Sequence, residues 1–152
     1  MKKLSLYLIV FSLCLLSFGA CNKKQSEAPD EKILKLGWKE LKGLDPATGK
    51  MAPLIQDANG KEVKIAGFVT PLTDDAAQIF EFTLVPYPVS CVHTPPPPPN
   101  QIVLVTLENS HINPEDLWHP FWVYGTLQID QTQNEFFTAS YKMTAHHIEK
   151  YE

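Results

Sequence analysis

The sequence predicts a small all-β domain, five strands closed into a barrel, with one or two short helices. Three observations carry that expectation. Apolar and polar residues alternate with period two in several runs, which suits strands buried on one face. Gly, Pro and Asn punctuate those runs at short intervals, as turns require. The chain has 152 residues and no internal repeat, which is the length of one domain.

The elements follow in order. Ile33, Leu36, Trp38 and Leu41 are spaced as a short amphipathic helix or turn, with Trp38 docked on the domain as a plug. Residues 43–58 carry Pro46, Gly49 and Pro53 and read as irregular. Asn59-Gly60 is a turn signal. The first strand, residues 61–70, places Val63, Ile65, Gly67 and Val69 on one face, and Gly67 predicts a bulge or tight bend. The second, residues 78–85, places Phe80, Phe82 and Leu84 on one face. Residues 102–107 are apolar on both faces and read as a central strand. Asn113-Pro114-Glu115-Asp116 reads as a helix start with a capping Asn, and Pro120 keeps that helix short. The fourth strand, residues 121–129, turns Phe121, Val123, Leu127 and Ile129 inward around Gly125. The fifth, residues 136–145, alternates Phe137, Ala139, Tyr141 and Met143. This count fits an oligonucleotide/oligosaccharide-binding (OB) type of barrel, with a β-sandwich fragment as the alternative.

The N-terminus reads as targeting rather than fold. Met1-Lys2-Lys3 is basic, residues 4–20 carry no charge, and small residues follow. That is the pattern of a secretory signal over residues 1–20. A membrane span is the alternative, for which the run is short. Cys21 after Gly19-Ala20 resembles a bacterial lipobox, although Phe18 stands where Leu is usual. The resemblance implies cleavage before Cys21 and lipidation of its sulfur and amine. A periplasmic, lipid-anchored location follows. Asn22 in place of Asp favours the outer membrane by resemblance to enteric lipoproteins. Residues 21–32 are polar and read as a tether, leaving residues 33–152 as a single OB-like domain.

Composition narrows the function. All 13 basic residues are lysine, against 17 acids and a net charge of −4. Recognition of nucleic acid leans on basic patches and arginine forks, so no nucleic-acid partner is expected. Of three cysteines, Cys14 leaves with the signal and Cys21 carries lipid, so Cys91 is the lone thiol of the mature chain. It is buried and inert, bound to a metal, or used chemically.

Seven of the 13 prolines lie in residues 85–101. Proline removes a backbone N–H and fixes φ, so this segment must be a stiff, extended connection between two strands. Cys91 and His93 stand at i and i+2, a spacing that aims both side chains the same way in extended chain. Sulfur and imidazole nitrogen together suit zinc or copper. His119, at the start of the fourth strand, is a third candidate ligand. His111 is a further candidate, while His146 and His147 are adjacent, so their rings point apart in extended chain. A Cys91 nucleophile with His93 as base is the catalytic alternative, although five prolines leave no N–H groups for an oxyanion hole. Asn100 and Gln101 are expected to satisfy carbonyls that the prolines leave unpaired. The proline run is also a candidate docking ligand for a partner.

The run Cys91-Val92-His93-Thr94-Pro95-Pro96-Pro97-Pro98-Pro99-Asn100-Gln101 resembles the signature of an uncharacterised family of bacterial periplasmic proteins and lipoproteins, Cys-x-His-x-Pro-Pro-Pro-Pro-Asn-Gln. Gly60-Lys61-x-Val63-x-Ile65-x-Gly67-Phe68-Val69-x-Pro71-Leu72 and Val123-x-Gly125-Thr126-Leu127 extend the similarity. Val89-Ser90 stands where the family often has Gly-Ala, and Pro99 is an added proline. The resemblance implies an OB-like barrel and a link to zinc homeostasis, with components of an ABC-type transporter as partners. It implies no catalytic residues. The expected function is therefore transition-metal binding or service to a metal transporter. A structural or partner-docking lipoprotein is the alternative, and a cysteine enzyme comes third.

Overall fold

A computed structural model describes residues 33–72, 77–89 and 95–151. The signal sequence, Cys21 and the tether lie outside them, as do Cys91 and His93.

The first described strand, β1 (Leu34–Leu36), lies where the sequence suggested a helix or turn. It pairs in parallel with β2 (Glu62–Pro71), Leu34 opposite Val63 and Leu36 opposite Ile65. Gly37 breaks the pattern. Its backbone is extended, and its N–H donates to Glu40 Oε2 at 3.0 Å, which starts the one-turn helix α1 (Trp38–Leu41). A second helix, α2 (Pro53–Ala58), lies in the stretch expected to be irregular. Pro53 opens that helix rather than breaking it, since the first helical residue needs no N–H partner. Ile55 and Ala58 are fully buried.

β2 alternates as the sequence predicts, with Val63, Ile65 and Val69 buried. Gly67 serves a different purpose from the expected bulge. A Cβ there would lie 2.7 Å from Trp38 Cζ2 and 2.7 Å from the Val85 oxygen. The missing side chain makes room for the indole, whose Nε1 donates to the Ala66 carbonyl at 2.7 Å.

β3 (Glu81–Val85) buries Phe82 and Leu84. Phe80 precedes the strand and stays exposed against the His111 ring. The cause is the backbone bridge between Ile79 and Ile112, which turns Ile79 inward and its neighbour out. β4 (Val103–Leu107) is hydrogen-bonded on both sides, to β3 antiparallel and to β6 (Thr138–Lys150) in parallel. Only one of its faces is fully buried, because Leu104 is half-buried and Thr106 exposed. The expected helix at Asn113 is a single 3-10 turn, Pro114–Asp116, and the Asn113 side chain does not cap it. β5 (Phe121–Gln133) and β6 form a long hairpin with two register shifts, between Tyr124 and Gly125 and between Ile129 and Thr132.

The six strands form one mixed sheet in the order β1-β2-β3-β4-β6-β5, and β5 also pairs with β2. The sixth strand relative to expectation is β1. Phe82, Leu84, Ile65, Leu127 and Tyr141 fill the core. The Tyr141 hydroxyl donates to the Leu41 carbonyl at 2.7 Å, so the end of α1 is tied to the core's largest buried side chain. Among the described residues no helix is long and apolar enough to cross a membrane.

Candidate functional site

The connection from β3 to β4 is built as its prolines dictate. Pro98 has φ −65° and ψ 157°, the polyproline II region, and a 3-10 turn at Pro99–Gln101 leads into β4. Pro97 is buried, while Pro95, Pro96 and Pro98 are exposed. The amides that follow do donate to carbonyls, but not to the prolines' own. Asn100 Nδ2 donates to the Leu44 carbonyl at 2.8 Å, and Gln101 Nε2 to the Trp38 carbonyl at 2.9 Å. Both acceptors belong to α1 and the turn after it, where a helix too short to satisfy its own carbonyls needs outside donors. Gln101 is 5% exposed. The loop is thereby fastened to the N-terminal segment. Across it, the Tyr87 hydroxyl lies 3.5 Å from the Pro95 carbonyl and brings the two described arms together.

Two cavities flank these arms. The first, about 450 Å³, lies between Phe68, Pro88 and Val89 on one side and Pro114, Leu117 and Trp118 on the other. The second, about 420 Å³, lies between Thr83, Val85 and Pro97 and the tip of the β5–β6 hairpin at Phe136 and Phe137. Thr70, Pro71 and Val89 border both. Among the described residues, no charged side chain lines either one. At the rims stand Trp118, 80% exposed, and Phe136, 83% exposed. The described lining suits apolar groups.

The expected site residues fall as follows. Pro95, Pro96, Pro97, Pro98, Asn100 and Gln101 form the described arm of the loop, and Cys91 and His93 lie outside the described residues. His119 is exposed and directly follows Trp118. His111 is exposed beside Phe80. Among the described residues, no group of three or more His, Cys, Asp or Glu is placed to hold a metal.

His146 and His147 do not diverge as an ideal strand would have them. β6 carries an extra residue here, since Tyr124 is opposite His147 and Gly125 opposite Ala145. His146 Nε2 meets Glu62 Oε1, while the His147 ring lies 5.1 Å from the Tyr124 ring. The bulge brings both rings to exposed partners on the outer surface of the sheet. Gly125 was the signal for it, because glycine inside a strand often marks a bulge. The Tyr124 hydroxyl donates to Glu149, and this hydrogen bond holds the phenol above its ordinary pKa. This patch and the proline loop are separate features, and sequence reasoning missed both the bulge and the apolar cavities.

The sequence profile of the family described as "Protein of unknown function (DUF3299)" matches residues 19–150. The chain belongs to the DUF3299 family. A crystal structure of a DUF3299 family protein from Pseudomonas aeruginosa PAO1 is similar throughout the domain. The two are 29% identical, with a TM-score of 0.65 over 79% of this chain and 97% of the other. No curated protein matches. Membership in an uncharacterised family agrees with the expectation from the sequence. The mixed, mostly β architecture of this DUF3299 chain agrees with the all-β expectation.

Proposed function

We propose that this DUF3299 protein is a lipid-anchored protein of the bacterial periplasm that binds a transition metal, zinc foremost, and serves an ABC-type metal transporter. Lipidation at Cys21 and residence at the outer membrane are part of the proposal, as is the Cys-x-His-proline signature. An OB-like barrel is the proposed frame. Supporting it are the strand order β2-β3-β4-β6-β5 returning to β2 and the parallel β4–β6 pair.

One observation carries the metal reading. Val89 and Trp118 line the same cavity. Cys91 stands two residues after Val89, and His119 directly follows Trp118. The metal reading has Cys91 and His119 share one ion, with His93 following Cys91 at the spacing that suits a common ligand set. One sulfur and two imidazoles leave a fourth position open, as in zinc sites that exchange a ligand.

The test is zinc content of the full-length protein in detergent, after loading and desalting, beside a Cys91→Ala/His93→Ala variant. About one zinc per chain, lost in the variant, is expected. Absence of zinc from the wild type overturns the metal reading.

A second reading has its own observation. Trp118 and Phe136 are exposed at the rims of adjoining cavities that no charged side chain lines among the described residues, and Pro96 and Pro97 of the stiff proline arm line the second. This suits a docking surface for a protein partner, with no metal involved.

A further inference from the structure

We propose that the two cavities form one receiving face for an extended apolar segment of a partner protein whose flanks carry lysine or arginine. The inference deepens the docking reading and rests on it.

Continuity comes first. Thr70, Pro71 and Val89 are shared, so the cavities adjoin and present one continuous face. Trp118 at one end and Phe136 at the other are both over three-quarters exposed, and Leu72 in the second cavity is 39% exposed. An exposed Trp and Phe at a common trough are anchors of the kind that dominate protein interfaces, large and apolar at low entropic cost.

Charge then selects the occupant. Among the described residues no charged side chain lines the trough, which favours an occupant that is neutral where it meets them. The borders are acidic. Glu135 sits between Asn134 and Phe136, which both line the second cavity, and Glu115 follows Pro114, which lines the first. Both acids are exposed and form no ion pair among the described residues. Asp116 nearby is paired with Lys150 at 2.6 Å, so that lysine does not offset Glu115. A neutral floor with an acid at each end complements an apolar segment with a cation on each side. The same acids repel the anionic headgroups of a bilayer, which sets the trough apart from a membrane-insertion face.

The occupant is extended rather than helical. The trough is walled by Pro71, Pro88, Pro96 and Pro97 and runs between loop tips, which suits a chain in strand or polyproline form.

The test uses the full-length protein in zwitterionic nanodiscs as bait for a displayed random-peptide library. Enriched peptides should share an apolar centre with lysine or arginine on both flanks. Titration of one such peptide should weaken at least about tenfold with Trp118→Ser or Phe136→Ser, as truncation of an anchor residue does. Glu115→Lys with Glu135→Lys should weaken it by roughly twofold to fivefold or more, with reduced salt dependence. These four residues are surface-exposed or half-exposed at loop tips, and an unchanged thermal melt confirms the fold. Enrichment of apolar peptides without basic flanks overturns the inference and leaves the docking reading standing. No enrichment overturns both. Quenching of Trp118 emission by brominated lipid, read as the difference from Trp118→Phe, assigns the face to the bilayer and also overturns both.

Discussion

Gln101 donates its side-chain amide to the main-chain carbonyl of Trp38, 63 positions earlier in the chain, across a distance of 2.9 Å. A residue of the proline segment thus holds the N-terminal helix rather than the loop it follows.

Replacing Gln101 by Leu should lower stability by about 1 kcal/mol, the worth of one buried hydrogen bond. The loss stays moderate because the Trp38 carbonyl also accepts from the Lys42 N–H at 3.3 Å. Urea unfolding followed by tryptophan emission checks this. A variant as stable as the wild type would leave the bond without energetic weight.

Gly67→Ala gives a sharper case. Strand propensity alone makes alanine the better residue, because glycine costs backbone entropy on ordering. The crowding by the Trp38 ring and the Val85 oxygen reverses that sign. The variant should be destabilised by about 1–3 kcal/mol, the usual cost of overpacking. A stability gain would mean that the indole moves aside freely.

Tyr141 sets an alkaline limit. Burial pushes its phenol well above the ordinary value near 10. Between that value and the raised native one, the unfolded chain releases a proton that the folded chain keeps. Stability contributed by the neutral phenol is therefore intact below pH ~10 and falls above it, by up to ~1.4 kcal/mol per pH unit. Tyr141→Phe should remove this part of the slope while costing about 0.5–1.5 kcal/mol at neutral pH through loss of the bond to Leu41. Unfolding curves from pH 8 to 11 (roughly the range around the phenol's ordinary value) compare the two, and parallel curves would contradict the assignment.

The histidines divide by place. Under the proposed metal reading, His119→Ala should weaken zinc binding about tenfold or more, as loss of one ligand does. His146→Ala with His147→Ala should leave it within about twofold and change stability by less than ~1 kcal/mol, because their pairs are exposed. Competition with a chelating dye measures the first and thermal melts the second. Equal losses of zinc affinity from both changes would move the site to the outer face of the sheet.

Much of the fold was legible because its strands bury one face. Alternation located β2, β5 and the inner residues of β6, and a continuous apolar run located β4. What escaped was set by contacts distant in sequence. Leu34 to Leu36 look helical by spacing, yet their partners are Val63 to Ile65. Pro53 looked like a breaker because its role depends on being first in α2. Gly67 signalled a special backbone, but only the arrival of Trp38 explains it. The proline segment drew attention to the β3–β4 connection, and its extended form was readable from composition. The trough beside it was not, since Val89, Trp118 and Phe136 come from three separate connections.

The parallel ladder of β1 on β2 has a mechanical consequence. Any tension on the residues before Ile33 enters the domain through β1. A pull along that strand loads its hydrogen bonds side by side, in shear, rather than one after another as in unzipping. Behind the ladder, the indole of Trp38 and the amides of Gln101 and Asn100 act as a second catch on the same segment. A pull on β1 would thus meet the β1–β2 ladder and, through the same segment, the bonds that hold it to the proline arm.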